Sequence, residues 1–487
     1  MTIRRFDITK YEKLLVLLFM LTLPFSNPWV RGDGVGYYAF ARSLLIEKSL
    51  DFRSDWLNAN SSFQMGRMDA AGNINRDQYT ATGHINNHFS VGPAILWLPF
   101  LVVIHESVLL FDKFGGHISA DGYSRPYLLT MAFATALYGF LSLVLSFRLA
   151  RRYVSVRWAF LATVGIWLGS SLPVYMYLNP SWSHAPSAFV AALFFWYWNH
   201  TRNVRSFWEW SVLGLIGGLM MDVYYVSAVL LIVPLLESIK LYAADLKAAK
   251  LVDIRRLFFS NLGFAVAVLV AFFPTLLTKK IIYAGYFNFG YVERWFWRSP
   301  AFLKVAFSSE HGLFSWTPLL ILSVCGLFLL RKYDRDFAFF SLVAFGAYLY
   351  TIGCYQDWHG ISSFGSRFFV LMTPLFVLGL AVLFDSLEHA WQGGHAIRFA
   401  SVMTLAFVLW NLGLIFQWGT HAIPARGPIS WNEAARNQFT LVPVQAEGIM
   451  KSYFVNRTSL MKQIEQEDVN ELKSGRSQET APQETER

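Results

Sequence analysis

Across 487 residues the chain is 55% hydrophobic and 15% charged, more apolar material than one soluble core uses, and it comes in blocks long enough to cross a bilayer. The formal charge of +9 does not point to a nucleic-acid partner, because the cations punctuate the apolar blocks instead of clustering on one face. The expected fold class is an all-α polytopic integral membrane protein.

In chain order, Arg4, Arg5, Lys10 and Lys13 precede LLVLLFMLTLPF. That run has the outline of a signal peptide, but SNPWVRGD offers no small-x-small cleavage site, so it reads as an uncleaved first span at about residues 14 to 30. Further spans are expected near residues 126 to 147, 158 to 178, 185 to 198, 258 to 278, 312 to 330, 337 to 354, 368 to 384 and 399 to 418. Two segments need more than hydropathy. Residues 94 to 111 are interrupted by His105 and Glu106, and residues 210 to 236 exceed one ordinary helix and carry Asp222 near their middle. Cys325 and Cys354 lie within apolar stretches and read as small buried hydrophobes, not as a disulfide framework.

Positive charge assigns both segments. The loop RLARRYVSVR (148 to 157), the loop with Arg202 and Arg205, the stretch holding Lys240, Lys247, Lys250, Arg255 and Arg256, and RKYDRD (331 to 336) should all face the cytoplasm. Residues 94 to 111 then become a re-entrant or interfacial helix, and residues 210 to 236 go out and back as two short helices meeting near Asp222. This gives about eleven crossings with the N-terminus inside.

Residues 31 to 125 become a large first periplasmic loop with juxtamembrane helices, joined outside by 179 to 187, 279 to 311 and 356 to 367. Residues 1 to 418 are expected to form one transmembrane domain, and 419 to 487 an extension on the same outer side. From about residue 462 the tract is polar, lacks aromatics and is expected to be disordered. No internal repeat is visible.

The outer segments hold the candidate chemistry. In RGDGVGYYAFARSLL (31 to 45) Asp33 stands among Gly32, Gly34 and Gly36 and just before Tyr37 and Tyr38. An N-cap for a helix starting near Val35 is one reading, worth about 1 kcal/mol. The glycines favour another, since they permit close approach of a ligand to backbone and an acid at the membrane edge can take a proton from an acceptor hydroxyl. Arg367, after SSFGS at the mouth of a span, has the planar fork that suits a phosphate, or it snorkels to headgroups. Arg294, Arg298, Lys304 and His311 form a second basic set; Arg294 and Arg298 are interleaved with aromatics in GYFNFGYVERWFWRSP, the pattern of an interfacial belt or of a loop over a cavity. His184 sits in the short loop NPSWSHAPS. Asp222, an ionisable group within an apolar hairpin, is a candidate second acid. His84 and His88 share an i,i+4 spacing that, with Asp33, would suit a divalent metal if the stretch were helical; GHINNHFS reads as a loop, and no cofactor is expected.

An acid directly after the first span, followed by Tyr-Tyr and an amphipathic stretch, resembles the first outer loop of the GT-C glycosyltransferases. These polyprenyl-phosphate-sugar-dependent enzymes include the protein O-mannosyltransferases and the aminoarabinose transferase of lipid A. HFSVGPAILWLPF (88 to 100) resembles the family's Lys-Tyr-Pro-Pro-Gly-like segment, and EHGLFSWTPLL (310 to 320) and WHGISSFGSRFFVLMTP (358 to 374) are similar to segments recurring in bacterial members. The resemblance covers about residues 14 to 385. It implies a GT-C-like bundle with Asp33 as the catalytic acid that activates the acceptor. His88 stands where several relatives place a lysine near the donor phosphate, and Gly34 where many members have a second acid.

The expected activity is transfer of a monosaccharide from an undecaprenyl-phosphate-linked donor to a lipid, glycan or protein acceptor at the periplasmic face of a bacterial inner membrane. Asp33 would be the base, and Arg367, His88, Tyr37, Tyr38, His184, Arg294, Arg298 and His311 would hold donor phosphate and sugar. A transporter or flippase of lipid-linked sugars is the alternative; such proteins commonly show internal repeats and midplane ionisable groups.

Overall fold

The computed structural model describes residues 9–202, 205–290, 293–391 and 394–479; Arg4, Arg5 and the last eight residues of the polar tail lie outside them. The described chain is helical throughout, with three isolated β-bridges and no strand. Seven helices are long and apolar enough to cross a membrane: Gly92–Lys113, Arg125–Ala150, Tyr225–Lys247, Leu251–Tyr283, Arg335–Cys354, Arg367–Ala390 and His395–Gly419. The expected crossings near the N-terminus and at 158 to 178, 185 to 198 and 312 to 330 are helical but shorter or less apolar, so length and composition do not establish eleven.

The Arg367–Ala390 segment is the axis of the bundle, with 94% of its apolar window buried inside the protein. It is apolar all round, as a helix surrounded by other helices must be, and it packs against Arg125–Ala150, Val156–Leu168 and Leu319–Leu329. The tightest pairing elsewhere joins Phe207–Val223 to Leu251–Tyr283. A Cβ on Gly214 would stand 2.3 Å from the carbonyl oxygen of Phe264, and one on Gly218 2.3 Å from that of Val268. In lipid, where apolar surface alone does not drive helices together, such small-residue contacts bring backbones into van der Waals reach.

Residues 210 to 236 do turn back on themselves. Phe207–Val223 begins in a capping box of Ser206 and Glu209, stops at Tyr224, and continues through the tight turns of Tyr225–Leu231 into Ile232–Lys247. The Gly92–Lys113 helix runs antiparallel to the first half of Arg125–Ala150 only: His105 meets Tyr127, the Trp97 indole donates to Thr135, and the Tyr138 hydroxyl to the Leu96 carbonyl.

One expectation is overturned. Residues 457 to 479, placed largely in a disordered tail, form the helix Arg457–Glu479. Its acids find partners in the first loop: Glu465 accepts from the Asn60 amide at 2.9 Å and the Ser62 backbone N–H at 2.6 Å, and Asp468 pairs with Arg31 at 2.6 Å. Composition alone does not register such partners.

The polar groups separate to the two ends of the bundle. At one end Glu12 pairs with Arg148 and Arg151, Arg202 with Asp334, Arg205 with Glu237, Lys240 with Asp336 and Arg157 with Glu388. The first loop, the 179 to 187 turn and the 356 to 367 segment meet at the other end around one cavity.

Candidate functional site

Asp33 is the first residue of the Asp33–Arg42 helix, and the residue before it, Gly32, has a φ of +53° and no side chain with which to cap. The N-cap reading is therefore corrected. The carboxylate sits in the first turn, where the helix dipole favours it, and Oδ2 lies 2.8 Å from Nη1 of Arg367. Two residues chosen separately from distant segments thus form one ion pair, two-thirds buried on the acid side and nearly nine-tenths on the arginine side.

The pair is held from below. The Arg367 guanidinium lies 4.5 Å from the centre of the Trp182 ring, a cation–π contact that also fixes the plane of the fork. The Trp182 indole N–H in turn donates to the Arg31 carbonyl at 2.9 Å, so arginine, tryptophan and the turn carrying Asp33 close a ring. Gly34 has its reason here. A Cβ at that position would fall 1.9 Å from Ser181 Oγ, so the position has no room for a side chain.

Asp33 and Arg367 line a cavity of about 640 Å³ together with Tyr37, His88 and His184. Tyr37 packs against Phe89 at 4.7 Å. Burial, with Lys279 and Arg67 nearby, pushes the His88 imidazole down to about 4 against the pull of Asp33; the ring is neutral at ordinary pH. His184 is boxed by the rings of Tyr175, Trp182 and Tyr224.

The remaining candidates lie elsewhere. Tyr38 donates to the Gly122 carbonyl at 2.7 Å inside the first-loop core. Arg294, Arg298 and Lys304 are exposed and do not line the cavity, although Glu293 and Trp295 on either side of Arg294 do. His311 is buried, stacked on Trp316 and pushed down to about 3 by that burial, with smaller contributions from His359 and Arg367. Asp222 accepts from the Thr275 backbone N–H at 3.1 Å. That amide follows Pro274, whose ring interrupts the helical ladder, so Asp222 mends a broken helix and does not face Asp33. Residues 80 to 90 form turns and bridges, so His84 and His88 lack the helical spacing a ligand pair needs; His84 bonds the Thr82 hydroxyl at 2.9 Å instead.

Several lining groups went unread in the sequence: Trp182, Arg31, Asp357 and Arg426. Trp182 and Asp357 sit inside segments already singled out, so their aromatic and acidic character was available as a signal. Arg426 lies beyond the last span, where nothing local marks it. Lys279 is fully buried and hidden in a span. Its Nζ donates to the carbonyls of Asn87 at 3.0 Å and Phe89 at 2.7 Å, fixing the segment that presents His88.

No family model matches this chain, and no curated protein matches it. Among solved structures it is similar to ArnT from Cupriavidus metallidurans bound to undecaprenyl phosphate, with 14% identity, 83% of this chain and 70% of that one covered, and a TM-score of 0.46. It is also similar to the archaeal oligosaccharyltransferase AglB from Archaeoglobus fulgidus, in complex with an inhibitory peptide and a dolichol-phosphate. There the identity is 13%, the coverage 95% of this chain and 56% of that one, and the TM-score 0.44.

Proposed function

We propose that the chain is a membrane glycosyltransferase that moves a monosaccharide from a polyprenyl-phosphate donor, undecaprenyl phosphate in a bacterium, to a hydroxyl of a cell-envelope lipid, glycan or protein. The reaction takes place at the periplasmic face of the inner membrane. The observation that carries this reading is the Asp33–Arg367 pair, set in a cavity with aromatic walls at one end of a membrane bundle. It joins an acid suited to deprotonate an acceptor with a cation suited to a departing phosphate.

In this reading Arg367 fixes one carboxylate oxygen and leaves the other to accept a hydrogen bond from the acceptor hydroxyl. As the acceptor oxygen attacks the anomeric carbon, its proton passes to Asp33 and the bond from that carbon to the phosphate oxygen breaks. The electron pair leaves with the polyprenyl phosphate. Negative charge grows on that phosphate, and the Arg367 N–H donors are the fixed groups nearest to take it up. Phosphate departs without protonation, so one carboxylate and one cation suffice, unlike the two-carboxylate arrangement of glycoside hydrolysis.

The test is release of free polyprenyl phosphate by purified protein from a panel of polyprenyl-phosphate sugars. Asp33→Asn is expected to abolish release while the protein remains inserted and folded. Near-normal turnover in that variant excludes the base role, and transfer of intact lipid-linked sugar across a proteoliposome, without cleavage of its phosphate bond, would identify a transporter instead.

A further inference from the structure

We propose that the C-terminal segment builds a second anion-binding subsite in the cavity, with Arg426 as its binding group, and that the acceptor carries a phosphate or carboxylate close to its reacting hydroxyl. The inference rests on the transfer reading above and specifies its acceptor.

Three strands of geometry lead here. The wall formed by the end of the last span and the Arg457–Glu479 helix contributes Arg426, Asp468 and Leu472 to the same cavity as Asp33. Both carboxylates on that wall are already engaged. Asp468 pairs with Arg31 at 2.6 Å and with His421 Nε2 at 3.3 Å, while Glu471 meets His421 Nδ1 at 3.5 Å and accepts the Arg426 backbone N–H at 2.9 Å. The Arg426 guanidinium is left over. It is half-buried, lies within electrostatic reach of Asp468, Glu471, Arg31 and Asp33, and makes no hydrogen bond or ion pair among the described residues.

Charge decides what this leftover group wants. His421, between two carboxylates, is pushed up to about 9 and is protonated at neutral pH. Asp468 and Glu471 are thus shared between Arg31 and His421, and Arg426 is the cation of this group whose guanidinium has no ion-pair partner among the described residues. A guanidinium that lines a cavity with its N–H donors unpaired is suited to an anion from the ligand, which its planar fork can bind through two N–H groups at once. Asp33 lies between Arg367 and this wall, linked to Arg367 directly and to Arg31 through two peptide bonds. Arg426 lines the same cavity as Asp33 and lies within electrostatic reach of it, so with the donor phosphate on Arg367 an anion held by Arg426 belongs to the acceptor.

The experiment titrates inorganic phosphate into the purified full-length protein saturated with undecaprenyl phosphate, reading heat or tryptophan fluorescence. Wild type should bind phosphate, Arg426→Gln should weaken that binding at least tenfold, and Arg426→Lys should retain most of it. Arg76→Gln, exposed on the first loop, should change nothing, and undecaprenyl phosphate affinity should stay within threefold in every variant. Unchanged phosphate binding in Arg426→Gln overturns the proposal, as does absence of phosphate binding in wild type. A parallel loss of undecaprenyl phosphate also overturns it, by assigning Arg426 to the donor. Melting temperature guards against misfolding: a subsite role requires Arg426→Lys to bind phosphate better than Arg426→Gln at matched stability. A wild type that binds both anions yet never cleaves a donor sugar would instead refute the transfer reading and leave the subsite standing.

Discussion

Arg367 has two tasks if it both orients Asp33 and receives the departing phosphate, and a guanidinium can do both because its N–H donors point in different directions. Arg367→Ala is expected to lower kcat about a hundredfold or more, the scale seen when one oxyanion donor is removed, and a loss below threefold would shift the phosphate role to another cation. Arg367→Lys should recover only part of the rate, since a single ammonium cannot span both partners. Gly34 gives an independent check on the same ring of contacts. A methyl group there would collide with Ser181, so Gly34→Ala should lower thermal stability and activity together, and Ser181→Gly in the same chain should restore part of both. Full stability of Gly34→Ala alone would contradict the close approach of the two turns.

At the scale of elements, the Arg457–Glu479 helix is the part whose role is least like its composition. It reaches the first loop through Glu465 and Asp468, and the Tyr453 hydroxyl and the Arg457 guanidinium bond the carbonyls of Phe25 and Ser26 at 2.6 and 2.7 Å. Ending the chain after Asn456 should remove one wall of the cavity and loosen the turn before Asp33, raising KM and lowering kcat while the membrane helices stay folded; unaltered kinetics would show the helix to be dispensable.

His421 adds a pH signature to this docking. Its folded pKa of about 9 lies above the unfolded value of ~6.5. Its contribution is fully present below about pH 6.5, declines as pH rises and is lost above about 9. Proteolysis within the last helix should therefore speed up between pH 7 and pH 9 in wild type, and His421→Gln should flatten that dependence.

The molecule as a whole is polarised, with the ion-paired basic loops at one end and the cavity at the other. If the cavity faces the periplasm, a single cysteine at Asp77 should react with an impermeant maleimide in intact spheroplasts, and one at Arg152 only after permeabilisation, both in a chain lacking Cys325 and Cys354. Labelling of both from the same side would break the assignment. Much of this layout is readable from hydropathy and charge: the helical class, the turnback near Asp222, and the gathering of basic loops away from Asp33. The chemistry is readable only in part. Asp33, Tyr37, His88, His184 and Arg367 do share a cavity, whereas Tyr38, Asp222, His311 and the 294 to 304 cations have other partners or none in it.

What the sequence by itself determined is therefore where the chain is apolar and helical and which of its loops gather the cations. Those properties are sums over neighbouring residues, and a bilayer reads them locally. Only the tertiary structure decided that Arg367 meets Asp33 across Trp182, that Gly34 is hemmed in by Ser181, and that a polar tail becomes a wall with Arg426 facing the cavity. Each of these is a contact between segments far apart in the chain, fixed by the shape of the packed bundle, and local composition does not encode which distant surface a side chain will find.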